Sequence, residues 1–219
     1  MVGTIADNMD VARHNGNEDG AAKDIAQVHG SSAEELVDIL DEHGEVTGIV
    51  KTKSEAHEKA LWHKAIHIWI YNSKGEILLQ KRAKTKLTWP GLWDISVAGH
   101  VSCGEDFEEA AVRELHEELG VGVKPEELVE VARRKTTYDN QKLNYHSREF
   151  ASTYLYRLDE LPTNLQEEEV GEVRFISIEK LEKELADPEA AKKYTPWDYY
   201  EMIDAVKKVT RTGSESTAP

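Results

Sequence analysis

The sequence predicts an α+β fold with a mixed sheet, and three observations carry that prediction. An alternating strand pair stands early in the chain, a helix-forming acidic segment stands in its middle, and two long β-rich runs precede helical patterns at the end. A chain of 219 residues is long enough for one well-filled domain, and no shift in composition marks a second. The expected boundaries are a flexible extension over residues 1–32, a folded domain over 33–210 and a polar tail over 211–219.

Each element follows from its own pattern. The first segment, with Asn15-Gly16-Asn17 and Asp19-Gly20, carries little hydrophobic periodicity. Leu36, Val37, Ile39 and Leu40 lead into Asp41-Glu42-His43-Gly44 and then Glu45 to Thr52, a hairpin pattern with its turn at His43-Gly44. Ser54 to Leu61 is helix-compatible. From Ala65 to Asn72, Ile66, Ile68 and Ile70 alternate with His67, Trp69 and Tyr71, as in a strand covered on both faces. Asn72-Ser73-Lys74-Gly75 supplies turn chemistry, and Glu76 to Arg82 returns as a second strand. Asp106 to Leu119 is helix-forming, with acidic residues in its first turn, and Gly120 ends it. Glu127 to Tyr138 and Leu143 to Leu158 read as two long strands around a turn at Asp139-Asn140. Val173 to Ile178 is a strand that passes into a helix ending near Leu185, capped at Ser177 or Ile178. Pro196 to Lys208 makes an amphipathic helix through Tyr199, Met202, Ile203 and Val206.

Composition excludes several classes of partner. A formal net charge of −15 argues against a nucleic-acid surface, which needs a basic stripe, and against anionic membranes. A small anionic substrate is still compatible where local Lys, Arg and metal override the global field. Cys103 is the single cysteine, so an intrachain disulfide and a cysteine-rich metal site are both ruled out. No apolar run approaches the roughly 20 residues needed to span a bilayer, and the N-terminus lacks the pattern of a signal peptide. The expectation is a cytoplasmic protein. The sequence is compatible with a homodimer and does not specify one.

The acidic helix carries the chemistry. At about 100° per residue, Val112, Leu115 and Leu119 fall on one core-facing stripe, while Glu114, Glu117 and Glu118 share an adjacent arc of roughly 100°. Like charges crowded on a helix cost a few tenths of a kcal/mol per pair, so a positive partner is expected there. Clustered carboxylate oxygens suit a hard divalent cation, Mg²⁺ or Mn²⁺. A solvated acidic face is the alternative for an arbitrary Glu-rich helix.

The surrounding positions sharpen this. Gly99 to Val121 resembles the Nudix box, G-x5-E-x7-R-E-U-x-E-E-x-G-U with U aliphatic, at every fixed position: Gly99, Glu105, Arg113, Glu114, Leu115, Glu117, Glu118, Gly120 and Val121. At ordinary residue frequencies of about 6 to 7% per position, chance gives such a match on the order of 10⁻⁶ of the time. The resemblance implies a mixed sheet sandwiched between helices and hydrolysis of an organic diphosphate, with Mg²⁺ or Mn²⁺ held by Glu114, Glu117, Glu118 and the Gly99 carbonyl. It also implies that Arg113 orients the carboxylates and that Glu105 fixes the loop. The proton acceptor varies in the family, and here Glu114 and the loop Glu167-Glu168-Glu169 are both candidates.

The likeness extends beyond the box. Leu61-Trp62-His63-Lys64-Ala65-Ile66-His67, Gln80-Lys81-Arg82-Ala83, Trp89-Pro90-Gly91-Leu92-Trp93-Asp94, Ala98-Gly99-His100 and Thr195-Pro196-Trp197 resemble the isopentenyl-diphosphate-isomerase-like subgroup of Nudix proteins. By that resemblance Lys53, Arg82 and Lys86 would bind the diphosphate, and His57, His63, His100 and Glu149 would form a further divalent site. The chain departs from true isomerases in two ways. Ala98 stands where they carry a cysteine, and all three box carboxylates are present. Replacing a thiol by a methyl removes one proton donor, so both departures favour hydrolysis. An isomerase that manages without the cysteine and a non-catalytic diphosphate-binding module are the alternatives. Trp69, Trp89, Trp93, Tyr138 and Tyr145 could stack a base, although aromatics in strands are commonly core.

Overall fold

The computed structural model describes residues 13–15 and 35–215. Most of the expected extension over residues 1–32, and residues 216–219 of the expected tail, lie outside the described residues. The described residues divide into two compact units, one of 13–15, 35–64, 102–104 and 133–151, the other of 65–101, 105–132 and 152–215. Three of the crossings fall inside strands, which is why no linker or composition shift marks them in the sequence.

In chain order the strands are β1 (Arg13–Asn15), β2 (Leu36–Leu40), β3 (Val46–Thr52), β4 (His63–Tyr71), β5 (Glu76–Arg82), β6 (Trp93–Asp94), β7 (Val97–His100), β8 (Val129–Asn140), β9 (Tyr145–Arg157) and β10 (Val170–Ser177). The helices are α1 (Lys53–Glu58), α2 (Phe107–Leu119), α3 (Ile178–Ala186), α4 (Pro188–Ala191) and α5 (Tyr199–Glu215). The larger sheet runs β1-β8-β9-β4-β5-β10, with β6 on β5 and β7 on β4. It is mixed, since β1 lies parallel to β8 while β10, β4 and β6 lie antiparallel to β5.

In the first unit β2 and β3 pair as the expected hairpin. Asp41 Oδ1 accepts the N–H groups of His43 at 2.8 Å and Glu45 at 2.9 Å, and Gly44 takes φ 90°, the conformation glycine tolerates. Val37, Ile39 and Ala56 are buried together, with Leu61 against them. Helix α1 is shorter than the sequence pattern suggested, because Ala60 turns to φ 53° and leaves the helical region.

In the second unit the sheet has a helical layer on each face. Ile66, Ile68 and Ile70 of β4 pack with Ala110, Ala111, Leu115 and Leu119 of α2. On the other face Trp69, Ile77 and Leu79 pack with Leu181 of α3 and with Tyr199, Met202, Ile203 and Val206 of α5. This is the helix–sheet–helix sandwich that the resemblance implied, and the alternation of Ile and aromatic residues along β4 is its cause. Burying Leu115 and Leu119, both 1% exposed or less, stabilises α2 by about 1.5 to 3 kcal/mol each.

Helix α2 has the ends its sequence predicts. Asp106 caps it reciprocally with Glu109, and Gly120 closes it at φ 66°. Other boundaries differ. The turn between β8 and β9 falls at Gln141–Leu143, because the Asn140 side chain caps it and Asn144 takes φ 48°. Helix α5 starts at Tyr199 instead of Pro196, since Thr195 and Trp197 bind Asp94 through their side chains. Its backbone stays helical through Glu215, into the expected tail. Strands β6 and β7 had no periodic signal, being two and four residues long. Among the described residues no helix is long and apolar enough to cross a membrane.

Candidate active site

Strand β7 and helix α2 meet at Gly99 and Glu114. A Cβ added at Gly99 would stand 2.5 Å from Glu114 Cγ and nearer still to its carboxylate, so only glycine fits. Next to Glu114 in the helix, Arg113 gathers the acidic residues around a single guanidinium. Nε and Nη2 fork onto Glu105 at 3.0 and 2.9 Å, Nη1 donates to Glu114 at 2.8 Å and to Glu117 at 3.0 Å, and Nη2 also donates to the His100 carbonyl at 2.9 Å. All five N–H groups are thereby used, as a planar fork allows and an ammonium does not. Burial by itself would lower the Arg113 pKa, yet the bonds and charges of Glu105 and Glu114 outweigh it and raise it.

The two carboxylates nearest the sheet are the buried ones. Glu114 is 9% and Glu118 5% exposed, whereas Glu117 faces outward. Glu118 Oε2 accepts from Gln80 Nε2 at 3.2 Å. Burial, then the Glu114 charge, push the Glu118 carboxyl well above its usual range, with Glu169 adding to the rise and Lys86 and Arg82 opposing it. A buried acid beside a second buried acid ionises fully only next to added positive charge. The residues therefore fit a hard divalent cation, which takes oxygen ligands of this kind.

The three expected phosphate-binding cations are engaged by carboxylates. Lys53 pairs with Glu35 at 3.1 Å in the first unit. In the second unit Lys86 pairs with Glu169. Arg82 donates from Nη1 to Asp94 at 3.0 Å, from Nε to the Thr88 carbonyl at 2.9 Å and from Nη2 to the Thr88 hydroxyl at 3.2 Å. Of the three loop glutamates, Glu167 and Glu168 are exposed while Glu169 is half-buried.

The expected histidine set divides between the units. In the first unit His57, His63 and Glu149 each offer a ligand atom within 4.8 Å of the others. His63 Nδ1 lies 2.8 Å from the Leu61 carbonyl, to which it donates. His57 stacks on Tyr145 at 4.2 Å between ring centroids, and burial followed by the His63 charge pushes its pKa down to about 4. Glu149 accepts from the Thr136 hydroxyl at 3.1 Å. Two imidazoles beside a carboxylate are a ligand set that suits a divalent transition metal. His100 belongs to the second unit, where its carbonyl accepts from Arg113.

Three residues that sequence reasoning did not single out stand in the second unit's polar network: Gln80, Asp94 and Glu169 as distinct from its neighbours. Gln80 and Asp94 are paired in register between β5 and β6. Their only sequence signal is a polar residue next to buried apolar ones, Leu79 and Ile95 respectively.

Such a sandwich, with an acidic helix docked on a glycine strand end, is of the Nudix class. The chain belongs to the Nudix family, whose NUDIX domain model matches residues 61–198. It is 35% identical over 196 residues to Nudix hydrolase 3 of Arabidopsis thaliana, a match covering 84% of this chain and 25% of that protein. The chain thus spans about a quarter of that relative's length. It is 39% identical over 95 residues to an isopentenyl-diphosphate Delta-isomerase of Escherichia coli, covering 43% of this chain and 52% of the isomerase. Among solved structures it is similar to DR0079 of Deinococcus radiodurans, with a TM-score of 0.57 and 25% identity over 78% of this chain and 99% of that one.

Proposed function

We propose that this protein hydrolyses the diphosphate bond of a nucleoside diphosphate derivative or other organic diphosphate, using Mg²⁺ or Mn²⁺ in a cytoplasmic setting. The observation that carries the reading is the buried pair Glu114 and Glu118, with Glu117 beside it, around an Arg113 whose donors are all committed to the site. Glu114, Glu117, Glu118 and the Gly99 carbonyl would hold the cation. What it supplies when bound is positive charge at the phosphoryl oxygens and a lowered pKa for water.

The chain's own residues do the rest. Arg113 and Glu105 keep the carboxylates in one geometry, which limits the reorganisation required as charge develops. Arg82 and Lys86 neutralise the substrate diphosphate, Lys86 exchanging part of its pairing with Glu169 for phosphate oxygens. For the proton acceptor, the half-buried Glu169 is favoured within its loop. Its charge is felt at Glu118, whereas Glu167 and Glu168 face solvent. Glu114 remains the acceptor if Glu169 proves dispensable.

One observation favours an isomerase-like second reading, namely the cluster of His57, His63 and Glu149. Ala98 opposes this reading, because a methyl group donates no proton.

A Mg²⁺-dependent phosphate-release screen over nucleoside diphosphate sugars, dinucleotides, oxidised nucleotides and prenyl diphosphates tests the proposal. Turnover of one class is expected, with Glu118→Gln lowering it at least about 10²-fold. Double-bond migration in isopentenyl diphosphate without phosphate release would establish the isomerase instead, and turnover unchanged in Glu118→Gln would remove the box from the mechanism.

A further inference from the structure

Asp94 lies outside the acidic helix and is 1% exposed, yet four donors converge on its carboxylate. Oδ2 accepts from Arg82 Nη1 at 3.0 Å, and Oδ1 accepts the Ile95 N–H, the Thr195 hydroxyl and the Trp197 indole N–H, each at 2.8 Å. A buried ion pair stabilises a fold only weakly against an apolar replacement, so stability alone is a poor reason to keep one. The arrangement has a directional effect instead. Asp94 and Thr88 together take three of the five Arg82 N–H groups, from three different nitrogens. The guanidinium plane is therefore fixed, while one N–H on each of Nη1 and Nη2 has no acceptor among the described residues. The Arg82 side chain is 13% exposed against 1% for Asp94, so the pair has a buried end and an accessible end. Arg82 also lies close enough to α2 for its charge to act on Glu118.

We propose that Asp94 is a positioning residue for diphosphate recognition: by pinning Arg82 against Thr88, it presents the remaining N–H pair to the phosphate oxygens at the acidic helix. This inference rests on the hydrolase reading above. Two N–H groups on the terminal nitrogens of a locked guanidinium match two oxygens of one phosphate, and a pre-set fork loses less side-chain freedom on binding than a mobile one. Because Trp197 and Thr195 share Oδ1, the carboxylate also ties the segment before α5 to the same point.

Asp94→Asn separates positioning from support. The amide keeps an acceptor oxygen for Trp197 and Thr195 but no longer holds Arg82 through charge. Thr195→Val removes a different donor to the same carboxylate. With Mg²⁺ present, Asp94→Asn is expected to raise KM, and the Kd for inorganic pyrophosphate measured by calorimetry, about tenfold, while kcat stays within about threefold. Thr195→Val is expected to lower the melting temperature and leave KM and Kd in place. Unchanged KM and Kd in folded Asp94→Asn overturn the inference, as does a loss of kcat that tracks the folded fraction alone. A wild-type protein that turns over no diphosphate yet binds pyrophosphate more tightly than Asp94→Asn would overturn the hydrolase reading and keep this one.

Discussion

Gly99 lies so close to Glu114 that its α-hydrogen occupies the space where a methyl group would overlap the Glu114 side chain. Gly99→Ala must therefore push Glu114 off the strand. The expected result is a loss of about 1 to 3 kcal/mol of stability from overpacking, and at least about a 10²-fold fall in Mg²⁺-dependent turnover, since small misplacements of reacting groups cost that much. Chemical denaturation and steady-state kinetics on the same preparation check both. A variant with wild-type turnover would separate Glu114 geometry from activity.

Arg113 bridges Glu105, Glu114 and Glu117, and a lysine cannot reproduce its fork. Arg113→Lys keeps the charge and loses the bidentate bond to Glu105. Because the Arg113 side chain is 27% exposed, the stability loss should fall below the 3 to 5 kcal/mol typical of a broken buried pair, at about 1 to 2 kcal/mol. Saturating Mg²⁺ should restore part of the lost stability, read as a larger metal-dependent rise in melting temperature than in wild type.

Glu118 offers a prediction with a definite sign. Its folded-state pKa is raised above the ordinary 4.5, so in metal-free protein the unfolded chain ionises first and the folded state loses stability as pH rises from that value towards the raised one. Glu118→Gln removes this cost and can keep the Gln80 bond through its amide oxygen. In EDTA, the variant should gain melting temperature relative to wild type as pH rises above about 4.5, while the two converge below it. An equal difference at pH 4 and pH 7 would contradict the burial argument.

The loop glutamates should differ sharply. Glu169→Gln is expected to lower kcat by about 10²-fold with little change in KM, and Glu167→Gln to stay within about twofold of wild type. Comparable, small effects for both would return the proton acceptor to Glu114.

Much of the fold was legible because its signals are local. The acidic first turn after Asp106, the Leu115 and Leu119 stripe and Gly120 mark α2 by local pattern alone, and the Ile repeats of β4 announce a strand covered on both faces. The short strands β6 and β7 were not legible as strands, since two to four residues carry no period. Helix α5 was misjudged at its start because Thr195 and Trp197 answer to Asp94, about a hundred residues earlier, and not to a helical pattern.

By itself, then, the sequence determined the family, the α+β class and the carboxylate helix, all of which rest on residues within a few turns of one another. Only the tertiary structure decided that Gly99 abuts Glu114, that Gln80 reaches Glu118, that Glu169 is the loop glutamate drawn inward, and that Asp94 holds Arg82. Periodicity brings residues three or four apart onto one face. Which strand lies beside which, and in what register, depends on how the whole core packs, and those pairings have no local signature.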